Sequence, residues 1–131
     1  MESRIVWEKI DVANVISNFL NECDEFVGGV LVFIGLARRS GKEGDNVKSV
    51  IIDVDADANL KIKRWVSDIR RKYGLRNTAI IHRAGEIKVG EAIAVIAASA
   101  ERRANLFDAI REAIDRYKND ESIRLREVYE W

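Results

Sequence analysis

Three segments carry cationic side chains at positions where an anion could be held or a proton moved. In the first, Ser99-Ala100-Glu101-Arg102-Arg103, an apolar run gives way to helical spacing. Ser99 is suited to cap that helix, whose first turn then carries Arg102 and Arg103 beside a single acid, Glu101. A helix N-terminus already presents unpaired N–H groups and a partial positive charge, so acids are its usual neighbours. Two arginines there fit a site visited by phosphate or another anion. The plainer reading is a pair of solvated or ion-paired surface charges. In the second segment, Gly35-Leu36-Ala37-Arg38-Arg39, two guanidinium groups stand where an apolar strand ends and a loop begins. Such ends often carry binding residues, and arginine grips phosphate in a bidentate fork; Arg-Arg before a loop is also ordinary surface. The third is Lys118 at the end of a helix, where a cation favourably meets the helix dipole. Held near other cations or in an apolar pocket, a lysine can instead act as base or nucleophile.

Other reactive side chains offer less. The lone histidine, His82, has no second histidine or cysteine at ligand spacing, so no metal site is expected and a packed or hydrogen-bonded strand histidine is the better reading. Cys23 is the only cysteine and lacks CxxC or Cys–His spacing, which makes it structural. There is no Walker loop, GxGxxG or GxSxG motif, and no cofactor is implied.

The elements that must position these groups follow from periodicity. Residues 4–7 form a short strand, and Asp11 caps a helix carrying Val12, Val15, Ile16, Phe19 and Leu20 at helical spacing. Gly28-Gly29 ends it and introduces the buried strand Val30 to Ile34. Arg38 to Asp45 is a polar, glycine-containing loop, expected to be mobile. Val47 to Val54 is a strand. A helix from Ala58 to Tyr73 places Trp65, Val66, Ile69 and Tyr73 on one face and stops at Gly74. Strands follow at 78–82 and 92–98, with an extra short one possible at 86–89 between Gly85 and Gly90. A third helix from about Glu101 to Lys118 buries Leu106, Ala109, Ile110, Ala113, Ile114 and Tyr117, and 123–131 is a last, alternating strand. The order is β-α-β-β-α-β-β-α-β: an α+β class with three helices packed on a mostly antiparallel or mixed sheet.

The 131 residues suit a single domain, 1–131, and the balance of 47% apolar and 34% charged residues is that of a globular chain. Twenty-two basic and twenty-two acidic residues cancel, so no global field recruits nucleic acid or an anionic membrane. No apolar run approaches the ~20 residues of a membrane span, and Met1-Glu2-Ser3-Arg4 opens no signal-peptide core. A cytoplasmic location is expected.

Four blocks in register carry a resemblance. His82-Arg83-Ala84-Gly85-Glu86-Ile87-Lys88-Val89-Gly90-Glu91 is similar to an "HR-x-G-x-(apolar)-x-x-G-(acid)" signature. It leads into Ala94 to Phe107, similar to a strand followed by "S-x-H-R-x-x-A-F". Upstream, Gly29 to Arg38 resembles "G-A-(apolar)-x-x-F-x-G-x-V-R"; downstream, Ile114-Asp115-Arg116-Tyr117-Lys118 resembles "(apolar)-D-x-(apolar)-K". Together, from about residue 28 to 127, the chain resembles the large, catalytic subunit of molybdopterin synthase.

The resemblance implies an α/β hammerhead-like fold and a homodimer, each end of which binds a small ubiquitin-like sulfur carrier. The carrier's C-terminal Gly-Gly, as a thiocarboxylate, delivers sulfur to cyclic pyranopterin monophosphate, and two rounds make the dithiolene of molybdopterin. By position, Lys118 matches the active-site lysine beside the partner's C-terminus, Arg38 the strand-end arginine of the pocket and Phe33 the aromatic nearby. Arg102 matches the arginine that holds the substrate phosphate, with Arg103 and Arg39 beside these positions. The family builds its pocket at the dimer interface, so Arg38 and Arg102 can serve different protomers' sites. The chain departs from the pattern in three places. Glu101 replaces the histidine before the helix arginine, and Asp53 to Asn59 replaces "E-H-Y-x-x-M". Leu125, flanked by Arg124 and Arg126, falls where a second lysine is expected, and a one-residue slip decides whether a cation faces the pocket. The alternative is a non-catalytic relative that binds a ubiquitin-like partner or an anionic ligand.

Overall fold

The computed structural model describes residues 1–130, apart from the side chain of Ala104. Its elements are β1 (Arg4–Val6), α1 (Val12–Asn21), β2 (Gly29–Leu36), β3 (Val47–Val54), α2 (Ala58–Tyr73), β4 (Asn77–Arg83), β5 (Gly85–Lys88), β6 (Ala92–Ala100), a 3-10 turn (Arg103–Asn105), α3 (Leu106–Asn119) and β7 (Ile123–Tyr129). Local chemistry sets several boundaries. Asp11 caps α1, its Oδ1 accepting from the Asn14 N–H at 3.1 Å. Gly74 ends α2 at φ 63°, a left-handed conformation open to glycine because it has no Cβ.

Four strands pair in the order β1-β4-β6-β2 and three in the order β5-β3-β7. Only β1 and β4 run parallel; the other pairs are antiparallel. The apolar runs of β4 and β6 reflect burial on both faces. Ala79, Ile81, Val95 and Ala97 belong to clusters with Phe19, Val6 and Ile10, on the side of α1. Ile80, Ile96 and Ala98 join the main core with Ile62 and Ile69 of α2 and Ala109 and Ala113 of α3. Each fully buried isoleucine there contributes roughly 1.5–3 kcal/mol of burial. The result is the α+β arrangement expected from the sequence, with its strands divided between two sheets. Among the described residues no helix is long and apolar enough to cross a membrane.

Three sequence expectations are corrected. Ser99 is a strand residue rather than a helix cap: it pairs with Val30 on one side and Asn77 on the other, and its hydroxyl accepts from the Asn77 N–H at 3.0 Å. Pairing on both edges therefore carries β6 through Ala100, and α3 starts only at Leu106, after Asn105. Arg102 and Arg103 accordingly lie outside the first turn of α3, on an extended residue and in the 3-10 turn. The 38–45 loop is tied down rather than loose. The Lys42 N–H donates to Glu127 at 3.0 Å, the Glu43 N–H to the Tyr129 hydroxyl at 2.7 Å and the Asn46 amide to the Glu130 carbonyl at 2.7 Å. The last strand is described to Tyr129; Trp131 lies outside the described residues.

Candidate functional site

A groove of about 760 Å³ opens where the end of β2, the last turn of α3 and the strand β7 meet. Val50, Ile52 and Ile123 give it an apolar lining that belongs to the main core. Phe33 and Tyr117 add aromatic walls. Arg38 stands just beyond β2, Lys118 in the last turn of α3 and Lys42 in the tied loop; all three line the groove and are exposed. Leu125, 53% exposed, lines it from β7. Three cations against an apolar lining suit an anion whose remaining parts are uncharged.

Glu127 is the one acid in the lining, and its carboxylate is already engaged. Oε1 accepts from the Lys42 N–H and from the Tyr129 hydroxyl, at 3.0 and 3.1 Å. Beneath the groove, His82 is 1% exposed, and its Nδ1 lies 2.9 Å from the Arg83 carbonyl oxygen. A carbonyl only accepts, so Nδ1 carries a proton. Loss of solvent pulls its pKa down to about 4, opposed by that hydrogen bond. Its ring meets Tyr117 edge-on at 4.9 Å, and burial raises the pKa of the Tyr117 hydroxyl. The lone histidine is thus a packed strand residue, as its sequence context implies. Cys23 is half-buried with Sγ 3.4 Å from the Phe19 carbonyl, and no metal-ligand cluster occurs among the described residues.

The structure brings some of the candidate residues together and keeps others apart. Phe33, Arg38 and Lys118 share the groove. Arg39 is exposed but does not line it. Arg102 and Arg103 are exposed at the far end of the same strand pair, since Gly29 opposes Ala100 while Leu36 opposes Ala92. Eight residues of strand separate the two ends by roughly 25 Å. Arg124 and Arg126 alternate with the groove-lining Ile123, Leu125 and Glu127, so the pleat turns both away from it. Arg124 instead reaches Asp55 at 2.9 Å. Lys42 and Glu127 line the groove with no local sequence signal to mark them. Tyr117 is the buried core residue that the helical spacing predicts, and it lines the groove as well.

A profile described as MoaE protein matches residues 5–120. The chain belongs to the MoaE protein family. Curated relatives include the molybdopterin synthase catalytic subunits of Rattus norvegicus and Homo sapiens, 36% and 34% identical over 104 residues, which is 79% of this chain. The chain spans about half the length of these relatives, the matches covering 52% and 55% of them. Among solved structures, molybdopterin synthase from Staphylococcus aureus is similar with a TM-score of 0.85 and 26% identity, covering 99% of this chain and 93% of that one. A complex of subunits 1 and 2 of the molybdopterin-converting factor from Helicobacter pylori matches in fold with a TM-score of 0.80 at 18% identity, covering 98% and 86%.

Proposed function

We propose that this chain is the catalytic subunit of a molybdopterin synthase. It takes sulfur from the C-terminal thiocarboxylate of a small ubiquitin-like partner and passes it to cyclic pyranopterin monophosphate. The observation that carries this reading is the convergence of Arg38, Lys118 and Phe33, distant in sequence, on one groove with an apolar lining. Membership of the MoaE family and relatives named molybdopterin synthase catalytic subunit support the activity. The Helicobacter pylori complex, whose partner is the other subunit of its converting factor, supports a small-subunit partner.

In this reading Lys118 lies beside the partner's C-terminus. It serves as acid or base, or as the amine that contacts the thiocarboxylate carbonyl, and Arg38 supplies fixed positive charge to the anion in the groove. The substrate phosphate is the ligand of Arg102, with Arg103 next to it. Arg102 lies at the far end of the β2–β6 pair from the groove of its own chain, which supports a homodimer in which it serves the groove of a second protomer. No cysteine nucleophile is required, because the sulfur arrives on the partner. The second reading, a binder without sulfur transfer, draws on the apolar Leu125 in the groove.

The test is a sulfur-transfer assay with a thiocarboxylated small subunit and the pterin monophosphate. The unmodified protein is expected to form dithiolene product. Lys118→Ala is expected to lose roughly 100-fold or more in rate, the scale of one acid–base group, with partner binding intact. No product from the unmodified protein while the partner binds would eliminate the enzyme and leave the binder.

A further inference from the structure

We propose that Lys42 is a substrate-binding residue of this groove, holding an oxyanion together with Arg38 and Lys118. The proposal rests on reading the groove as the substrate site. Lys42 lines the same cavity as the other two cations, although it comes from the connection between β2 and β3 rather than from a regular element. None of the three forms an ion pair with a described residue. The single acid of the lining, Glu127, accepts hydrogen bonds from the Lys42 backbone and the Tyr129 hydroxyl, so it holds the loop in place.

The loop is built to present this side chain. The Lys42 N–H is anchored on Glu127, the Glu43 N–H on Tyr129 and the Gly41 N–H on the Gly44 carbonyl at 2.8 Å. Gly41 packs where a Cβ would come within 2.5 Å of the Tyr129 hydroxyl and 2.7 Å of Val47 Cγ2, so the chain is drawn tightly onto β7 just before Lys42. A lysine whose backbone is fixed loses less conformational freedom on meeting its ligand than one on a loose loop. Across the groove, the exposed Leu125 contributes no charge, so the cationic side of the site is formed by Arg38, Lys42 and Lys118.

Two oxyanions reach such a groove in the proposed reaction: a phosphate monoester and the carboxylate-type C-terminus of a peptide. The experiment titrates the full chain, Lys42→Ala and Lys42→Arg with two probes, inorganic phosphate and a peptide ending in Gly-Gly with a free carboxylate. Binding is followed by calorimetry at low and moderate salt. Lys42→Ala is expected to weaken one probe about tenfold or more, the scale of a lost charged hydrogen bond, and to flatten the salt dependence, while Lys42→Arg retains both. The probe that weakens identifies the anion. Equal binding by Lys42→Ala, no rescue by arginine, or no binding of either probe to the unmodified chain would overturn the proposal. Probe binding that depends on Lys42, in a protein with no sulfur transfer, would remove the enzyme reading and leave this one intact.

Discussion

Acidification should destabilise this protein through one residue that can be followed by itself. His82 is the only histidine in the sequence and is 1% exposed, with a folded pKa of about 4 against an ordinary 6.5. The folded state therefore binds this proton more weakly than the unfolded state. Its contribution is intact above about pH 6.5 and is lost as pH falls toward 4. The gap between about 4 and 6.5 corresponds to a ceiling of about 3 kcal/mol, of which about 2 kcal/mol disappears between pH 7 and pH 5. In urea unfolding that loss moves the midpoint by about 1 M. Carboxylates such as Glu112 and Asp120, held below their usual range by hydrogen bonds from Lys72 and Ser122, add their own acid sensitivity. His82→Phe isolates the imidazole: it keeps a ring against Tyr117 and removes the titrating nitrogens. The variant should be about 1 kcal/mol less stable than the parent at pH 7 for the lost hydrogen bond. Because its pH 7 to pH 5 loss shrinks by about 2 kcal/mol, it should be about 1 kcal/mol more stable than the parent at pH 5. The single imidazole signal in the NMR spectrum should titrate near pH 4. A midpoint at 6 or above in the folded protein, or an unchanged pH dependence in His82→Phe, would refute the reasoning.

Two glycine substitutions separate crowding from backbone strain. Gly41→Ala places a Cβ 2.5 Å from the Tyr129 hydroxyl and 2.6 Å from Glu127 Oε2, so it should lift the loop off β7. Probe binding should fall as it does in Lys42→Ala, and amide exchange at Lys42 and Glu43 should accelerate; native exchange rates there would contradict the anchoring. Gly74→Ala meets no atom within 4 Å but must hold φ 63°. It should cost about 1–2 kcal/mol in urea unfolding from backbone conformation alone, leaving groove binding unchanged. A neutral result would show that α2 ends by some other conformation.

Local signals in the sequence carried most of the elements. The Asp11 cap sits beside the apolar spacing Val12, Val15, Ile16 and Phe19 of α1, and the Gly74 stop closes the spacing Trp65, Val66, Ile69 and Tyr73 of α2. Each signal lies within a few turns of what it bounds, so no distant partner is needed to read it. The runs at 78–82 and 92–98 likewise marked β4 and β6 as strands, whereas Val30 to Ile34, the run read as buried, is half-buried to exposed in β2. Four blocks in register pointed to the family. Three of the eight candidate site residues, Phe33, Arg38 and Lys118, share the groove: Phe33 lies within β2, Arg38 just beyond it and Lys118 in the last turn of α3. What the sequence left open depended on contacts between distant segments. Ser99 has the chemistry of a helix cap, but hydrogen-bonded neighbours on both sides, Val30 and Asn77, draw it into β6 and delay α3 to Leu106. Alternation along β7 shows that Arg124 and Arg126 share a face but not which one. Register with β3, Leu125 opposite Ile52, sends Leu125 toward the groove and both arginines away. Lys42 gave no signal at all, since its place depends on Glu127 and Tyr129, more than eighty residues along the chain. Propensity, capping and periodicity act over a few residues and are written in the sequence, whereas strand register and loop anchoring are free energies between segments that only the folded chain brings together.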